Sequence, residues 1–326
     1  MAIQQKTSSP WALVLAGGSG RRLEPLTLAL FGKPVPKQYC RIGRKDSLLQ
    51  DTVARLSPTT PCKKTVVIAD SSQVDLARSQ VRKSGVTVLG QPMDRGTAPG
   101  VLFPLMHILL QDPEATVVVT PSDHAIADKE CFCLGIEEAI HAVESDPGQI
   151  VLFGVEANAP RTDYGWIVPK NHVKAFPGYP LRRVARFTEK PPFHEARVLH
   201  RMGALWNTFV MVAKGKTMAQ LYRDRLPEIA RFFDRYAALD ERRRSTWLFA
   251  NYDRLPTANF SEDILTGAPN LSVYTWPASL AWTDLGTPGR LFEWLDDQGE
   301  LDPVMEKLRL RGATDLIQES PRAAAV

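Results

Sequence analysis

Residues 17–22, Gly-Gly-Ser-Gly-Arg-Arg, follow directly on the apolar run Trp11–Ala16, and residues of these types in this order can hold a phosphate chain. Glycine, lacking a Cβ, lets backbone N–H groups come close to phosphate oxygens, and a helix starting just beyond adds a partial positive charge. Arg22 supplies a permanently charged fork that matches phosphate geometry. Lys37 follows in Lys33-Pro34-Val35-Pro36-Lys37-Gln38. The two prolines hold that stretch extended, so the ammonium is a positioned point charge. Two common nucleotide-binding patterns do not fit. After Gly18-Ser19-Gly20 the dinucleotide fingerprint needs a glycine where Leu23 stands, and Gly215-Lys216-Thr217 lacks the earlier Walker glycine, Val210 occupying its place. A tight turn without a ligand and a surface lysine on a Pro-rich loop remain open at this point.

Further along, Gln91-Pro92-Met93-Asp94-Arg95-Gly96-Thr97-Ala98-Pro99 ends an apolar run and opens a helix. Gln91 can both donate to and accept from a base edge, and Gly96 permits close backbone approach; a helix-capping loop is the alternative. Asp123 stands just past the apolar run Thr116–Thr120, at a strand's carboxyl end, where α/β sheets meet ligands. The neighbouring His124 reads as a loop-shaping residue, because a hard cation such as Mg²⁺ favours oxygen donors. Asp284, in Trp282-Thr283-Asp284-Leu285-Gly286, is by itself compatible with ordinary turn chemistry. Gly165 allows close approach. Glu189 can accept hydrogen bonds from sugar hydroxyls, Lys190 can neutralise a phosphate, and the Asn207 amide can meet vicinal hydroxyls. A surface Glu-Lys pair is the plain account of 189–190.

These residues need a frame. The runs Trp11–Ala16, Thr65–Ala69, Val86–Leu89, Thr116–Thr120 and Ile150–Val155 read as buried strands. Helical patterns over Ser47–Leu56, Ser72–Lys83, Pro99–Leu110 and Phe132–Glu144 alternate with them. The second half offers strands at Tyr164–Val168, Arg183–Thr188, Phe209–Ala213 and Leu271–Trp276, and helices at Thr217–Leu226 and Pro227–Leu239. This rhythm predicts an α/β fold: a Rossmann-like, open, mixed and mostly parallel sheet flanked by helices in three α/β/α layers. We expect a single domain over 1–296, with a nucleotide half at about 11–155 and a second half at about 156–296. A tail over 297–326 should hold a short helix and a frayed end.

With 326 residues, 44% hydrophobic and 23% charged, the composition is that of an ordinary globule with ample core. A net charge of +4 is too small to argue for nucleic acid or a membrane surface. The four cysteines form no CxxC pair, so free thiols are expected. The polar N-terminus lacks the apolar stretch of a signal peptide, which points to a cytoplasmic location.

Leu15-Ala16-Gly17-Gly18-Ser19-Gly20-Arg21-Arg22-Leu23 together with Pro36-Lys37-Gln38 resembles the nucleotide-binding signature of the sugar-phosphate nucleotidyltransferases. Within that group it most resembles the mannose-1-phosphate guanylyltransferases. The resemblance implies that Leu15, Ala16, Gly17, Gly18 and Gly20 wrap the nucleotide, that Arg22 grips the triphosphate and that Lys37 contacts the reacting phosphates. It implies a base-recognition turn of Gln91, Gly96, Thr97 and Ala98. It makes Asp123 and Asp284 ligands of Mg²⁺, and Gly165, Glu189, Lys190 and Asn207 the sugar-phosphate side. Here Arg21 replaces the family's usual threonine, Gly96 its asparagine before Thr-Ala-Pro, and Thr208-Phe209 its Ser-Gly. Asn259-Phe260-Ser261-Glu262-Asp263 partly matches a further segment. The implied reaction transfers a nucleoside monophosphate from a triphosphate, GTP foremost, to a hexose 1-phosphate, mannose 1-phosphate foremost, with release of pyrophosphate. Glucose 1-phosphate with UTP or dTTP, and a noncatalytic regulatory relative, are the alternatives. The expected partners are these small molecules, with homodimerisation left open. No C-terminal β-helix repeat or fused isomerase domain is visible.

Overall fold

Apolar, β-branched runs become the strands of a central sheet. The computed structural model describes residues 9–18, 20–170 and 180–318. Ser19 of the glycine loop, the polar residues 1–8 and the end of the expected tail lie outside the described residues. The strands are β1 (Trp11–Leu15), β2 (Thr65–Asp70), β3 (Thr87–Gln91), β4 (Thr116–Pro121), β5 (Ala125–Ile126) and β6 (Ile150–Glu156). They continue with β7 (Gly165–Pro169), β8 (Leu181–Glu189), β9 (Leu205–Lys214), β10 (Leu271–Trp276) and β11 (Trp282–Thr283). Among the described residues, nine of them form one sheet in the order β3-β2-β1-β4-β9-β6-β10-β8-β7.

The parallel character expected from the βαβ rhythm holds across β3-β2-β1-β4 and between β6 and β10. Elsewhere the sheet is antiparallel: β9 turns back between β4 and β6, and β8 pairs antiparallel with both β7 and β10. Side chains alternate across the sheet. Ala12 and Val14 face a core shared with the helices Leu48–Leu56 and Lys129–Ser145, whereas Leu13 faces one shared with Thr97–Gln111 and Pro227–Ala237. Ser47 starts the helix Leu48–Leu56 by a reciprocal capping box with Gln50, as a Ser three residues before Gln dictates.

A third core cluster holds the tail. Leu301, Val304, Met305 and Leu308 are buried against Leu23, Leu26 and Leu30 of the segment that follows the glycine loop. Their spacing, i, i+3, i+4, i+7, is one apolar face of the helix Leu301–Leu310, and Thr314–Ile317 adds a further turn. The helix expected in the tail is thus docked on the segment behind the glycine loop, and the frayed end expected after it falls on residues 319–326, outside the described residues. The helix Glu24–Phe31, with Pro25 in its first turn, has no pattern to mark it, since its short sequence is apolar nearly all round.

Candidate active site

The loops beyond the carboxyl ends of β1 and β4 open into a cleft of about 840 Å³, within the range of small-molecule sites. Its wall includes Leu15, Gly17, Gly18, Arg22 and Lys37 on one side and Gly165, Glu189, Lys190 and Asn207 on the other. Asp123 and Asp284 both line it. They meet because β5 and β11, which carry them at their ends, pair as a two-stranded antiparallel ribbon with Ala125 opposite Thr283. His124 strengthens the junction: its Nδ1 accepts from the Trp282 indole N–H at 3.2 Å, and the rings meet edge to face at 5.3 Å. Burial pushes the His124 imidazole below its usual value, partly against the attraction of Asp123, which suits a neutral acceptor.

Lys37 ties the ribbon to the glycine loop. Its ammonium lies 2.9 Å from Asp123 Oδ2 and donates to the Asp284 carbonyl at 2.5 Å. The lysine is only 8% exposed, so this is a fixed charge. Burial alone would raise the Asp123 carboxyl, but Lys37 and His124 outweigh it and hold it below the usual carboxylate value. The next two residues build the glycine loop. Gln38 Nε2 donates to the carbonyls of Ala16 and Gly18 at 3.0 and 2.8 Å, and the Tyr39 hydroxyl donates to Ala16 at 3.0 Å. Gly20 has φ +65°, and a Cβ there would stand 3.1 Å from the Lys37 nitrogen. The glycine lets the loop lie against the lysine segment. Gln38 and Tyr39 are supports that sequence reading passes over, because their targets are carbonyls, which no side-chain pattern marks.

Asp284 is gripped by one oxygen. Oδ1 accepts from the Tyr164 hydroxyl at 3.0 Å and Gly286 N at 3.1 Å and pairs with Arg290 Nη1 at 2.9 Å. All three partners meet Oδ1, leaving Oδ2 for a cation. Asp123 likewise gives Oδ2 to Lys37 and keeps Oδ1 3.8 Å from His124. Among the described residues no group of three or more His, Cys, Asp and Glu side chains gathers as a metal cage. Two carboxylates completed by phosphate oxygens and water form a donor set that suits Mg²⁺.

The cleft-lining residues of the second half depend on backbone strain. β9 carries extra residues opposite β6 between the pairs Leu152–Met211 and Gly154–Asn207, with Phe209 at φ +59°. This bulge puts Asn207 and Phe209 on the cleft wall, and Asn207 Oδ1 accepts from Phe209 N at 3.2 Å. Lys190, at φ +43°, pairs with Glu189 Oε1 at 2.6 Å. Gly165 lies opposite Glu189 in the β7–β8 ladder, and a Cβ at Gly165 would stand 2.7 Å from Glu189 Oε2. Ala281 and Leu285, flanking β11 and Asp284, also have positive φ. Among the described residues, each of the four non-glycine positions in this unfavourable region either lines the cleft or sits within one residue of a side chain that does, as stored strain at functional sites leads one to expect.

Of the turn expected to meet the base, Gln91, Gly96 and Thr97 line the cleft and Ala98 does not. Ala98 is fully buried and its N–H donates to the Ala258 carbonyl, so it stands behind the wall, as do Ala16 and, outside the lining, Gly20. Thr97 lines the cleft, but its hydroxyl accepts from Phe260 N at 2.8 Å. Gln91 is buried at the wall with its amide N–H donating to the Met93 carbonyl at 2.8 Å, so its first duty is to shape its own loop. Gly96 has φ +81°, and a Cβ there would stand 2.3 Å from the Ala258 carbonyl oxygen. Its glycine serves the docking of residues 257–260 onto the loop. Gly96→Ala should therefore destabilise the fold by about 1–3 kcal/mol. The check is a lower urea midpoint at unchanged slope; an unmoved midpoint would show that the loop yields freely. Residues missed in sequence include Asp163, Tyr164 as a hydrogen-bond donor, and Arg290, whose Nη2 pairs with Asp163 Oδ2 at 2.6 Å. Arg290 lies six positions past Asp284 on a helix that the sequence reading did not assign.

A family model described as nucleotidyl transferase matches residues 11–299. Mannose-1-phosphate guanylyltransferase 2 of Escherichia coli O157:H7 is 27% identical over 291 residues, which is 85% of this chain and 58% of that protein. The alginate biosynthesis protein AlgA of Pseudomonas aeruginosa is 31% identical over 205 residues, 60% of this chain and 40% of that one. The solved structure described as mannose-1-phosphate geranyltransferase from Thermus thermophilus superposes with a TM-score of 0.76 at 28% identity, covering 88% of this chain and 79% of its own. The chain spans about half the length of the curated relatives it matches. Among the described residues no helix is long and apolar enough to cross a membrane.

Proposed function

The chain belongs to the nucleotidyl transferase family, and from that premise we propose that it transfers GMP from GTP to mannose 1-phosphate and releases pyrophosphate. The observation that carries this reading is the β5–β11 ribbon, which brings Asp123 and Asp284 to one cleft with the glycine loop and Lys37. The choice of GTP and mannose 1-phosphate is supported by the relative described as a mannose-1-phosphate guanylyltransferase.

In this mechanism a sugar-phosphate oxygen attacks the α-phosphorus in line. A new P–O bond forms, the bond from that phosphorus to the α,β-bridging oxygen breaks, and the electron pair leaves with pyrophosphate. The monoester's second pKa is about 6, so its oxygen is already anionic near neutrality and no general base is needed. The protein's task is to hold two polyanions together and stabilise charge on the leaving group. Gly17 and Gly18 give the triphosphate a wall without side chains, Arg22 reaches it from an exposed position, and Lys37 stays fixed beside Asp123. On the far wall Glu189 and Asn207 take sugar hydroxyls, and Lys190 faces the sugar phosphate. Asp123 and Asp284 would hold Mg²⁺, which when bound would neutralise phosphate oxygens as a Lewis acid.

The test is pyrophosphate release by purified protein with GTP, UTP, dTTP, CTP and ATP, each against several hexose 1-phosphates. The highest kcat/KM should belong to GTP with mannose 1-phosphate. A preference for UTP or dTTP with glucose 1-phosphate would replace the substrate pair, and nucleotide-sugar binding with no release from any pair would sink the enzymatic reading.

A further inference from the structure

Asp284 carries a resident cation that the transfer mechanism does not call on. Arg290 sits in the first turn of the helix Pro288–Asp297, whose start is capped by the Thr287 hydroxyl. Its side chain is 10% exposed and its guanidinium forks between two carboxylates, Asp284 at 2.9 Å and Asp163 at 2.6 Å. Asp163 Oδ2 meets Arg22 Nη1 at 3.5 Å, and at the other end Lys37 pairs with Asp123 while donating to the Asp284 carbonyl. Lys37, Asp123, Asp284, Arg290, Asp163 and Arg22 thus form one linked cluster of three cations and three carboxylates, with no net charge.

Each carboxylate of this cluster already has a cation beside it, so a bare divalent cation gains less attraction than two free carboxylates would give, and Arg290 repels it from within contact distance of Asp284. Arg290 is not the sole anchor of that carboxylate, since the Tyr164 hydroxyl and Gly286 N also hold Oδ1. Its charge matters more than its grip. A triphosphate adds several negative charges beside Arg22, where a carboxylate now stands, and tips the balance toward a cation.

We propose that Arg290 is the built-in counter-ion of Asp284, so that a divalent cation enters this site in company with a triphosphate and not alone. The inference rests on the nucleotidyltransferase reading of the cleft. A merely structural arginine would, on removal, leave cation binding unchanged or weaker; a counter-ion, on removal, leaves it stronger.

The experiment titrates Mn²⁺ alone, without nucleotide, into the full chain and reads water-proton relaxation. Arg290→Met and Arg290→Gln should each bind Mn²⁺ at least about ten-fold tighter than the parent, a conservative scale for removing one close charge. Arg290→Lys, which keeps the charge, should stay near the parent. Combining Arg290→Gln with Asp284→Asn should abolish the gain. Should Arg290→Met fail to fold, Arg290→Gln carries the test, because it keeps a polar amide near the Tyr164 hydroxyl, to which Arg290 Nη1 donates in the parent. Unchanged or weaker Mn²⁺ binding in a folded neutral variant overturns the proposal, as does a gain that survives Asp284→Asn. Pyrophosphate release is scored separately, so a protein silent in every substrate pair removes the proposed function while the Mn²⁺ comparison still decides the role of Arg290.

Discussion

Asp123→Asn and Asp284→Asn should each lower kcat by roughly 10²–10³, the scale of losing one preorganised electrostatic group. Asparagine keeps the shape and one carbonyl oxygen but removes the negative charge. Asp123 would lose its ion pair with Lys37, and Asp284 its pair with Arg290. Neither change opens a cavity, so folding should survive, though each leaves a nearly buried cation without its carboxylate and lowers the melting temperature, and the rate deficit should lie in kcat more than in KM for the sugar phosphate. The measurement is steady-state pyrophosphate release at saturating substrates across a Mg²⁺ series, with melting followed in parallel. Activity within threefold of the parent in either variant would remove that carboxylate from the proposed chemistry. The double variant should cost little more than the worse single one, because the two carboxylates are proposed to act on one cation.

Lys37→Met should be comparably severe in rate, again roughly 10²–10³, and it should cost stability as well. The lysine is buried, and it bridges Asp123 with the Asp284 and Leu285 carbonyls, so methionine leaves a carboxylate and two acceptors without their donor. Because Asp123 is 27% exposed at its side chain, water recovers part of the loss, and about 1–3 kcal/mol is the expected range. The pH dependence gives an independent check. Lys37 is the main attraction that holds the Asp123 carboxyl below its unfolded value of about 3.9. A group so depressed contributes stability that is present above the unfolded value and is lost as pH falls through the folded one. The parent should therefore lose stability on acidification below about pH 4, and Lys37→Met should lose less over that window. Parallel acid profiles for the two proteins would contradict the pairing. Lys37→Arg is not a rescue, since the larger fork has no room at a position 8% exposed.

The residues behind these two predictions differ in how legible they are. The glycine loop, Arg22 and Lys37 are close in sequence and follow one strand, and local chain stiffness is enough to put them in one place. The strands β1, β2 and β4 and the helix Leu48–Leu56 are legible from local signals too: burial on both faces writes a continuous apolar run, and a capping box marks a helix start. The turn over Gly96, Thr97 and Ala98 is legible only in part: Gly96 and Thr97 do line the cleft, but all three also pack on residues 258–260, which lie far along the chain. The docked helix Leu301–Leu310 has a clear periodic face, but its partner helix Glu24–Phe31 lacks one, so nothing local announces the contact.

By itself the sequence determined the residue types and the short-range geometry: a glycine-rich loop behind a buried strand, a stiffened lysine, and carboxylates placed at element ends. Those follow from steric limits on neighbouring residues, which act over a few positions. Only the tertiary structure decided that Asp123 and Asp284 share a cleft, that Arg290 and Asp163 complete their charge balance, and that a bulge in β9 turns Asn207 inward. Backbone pairing between distant segments and the Coulomb field of a buried cluster depend on distances through space, and sequence separation does not encode them.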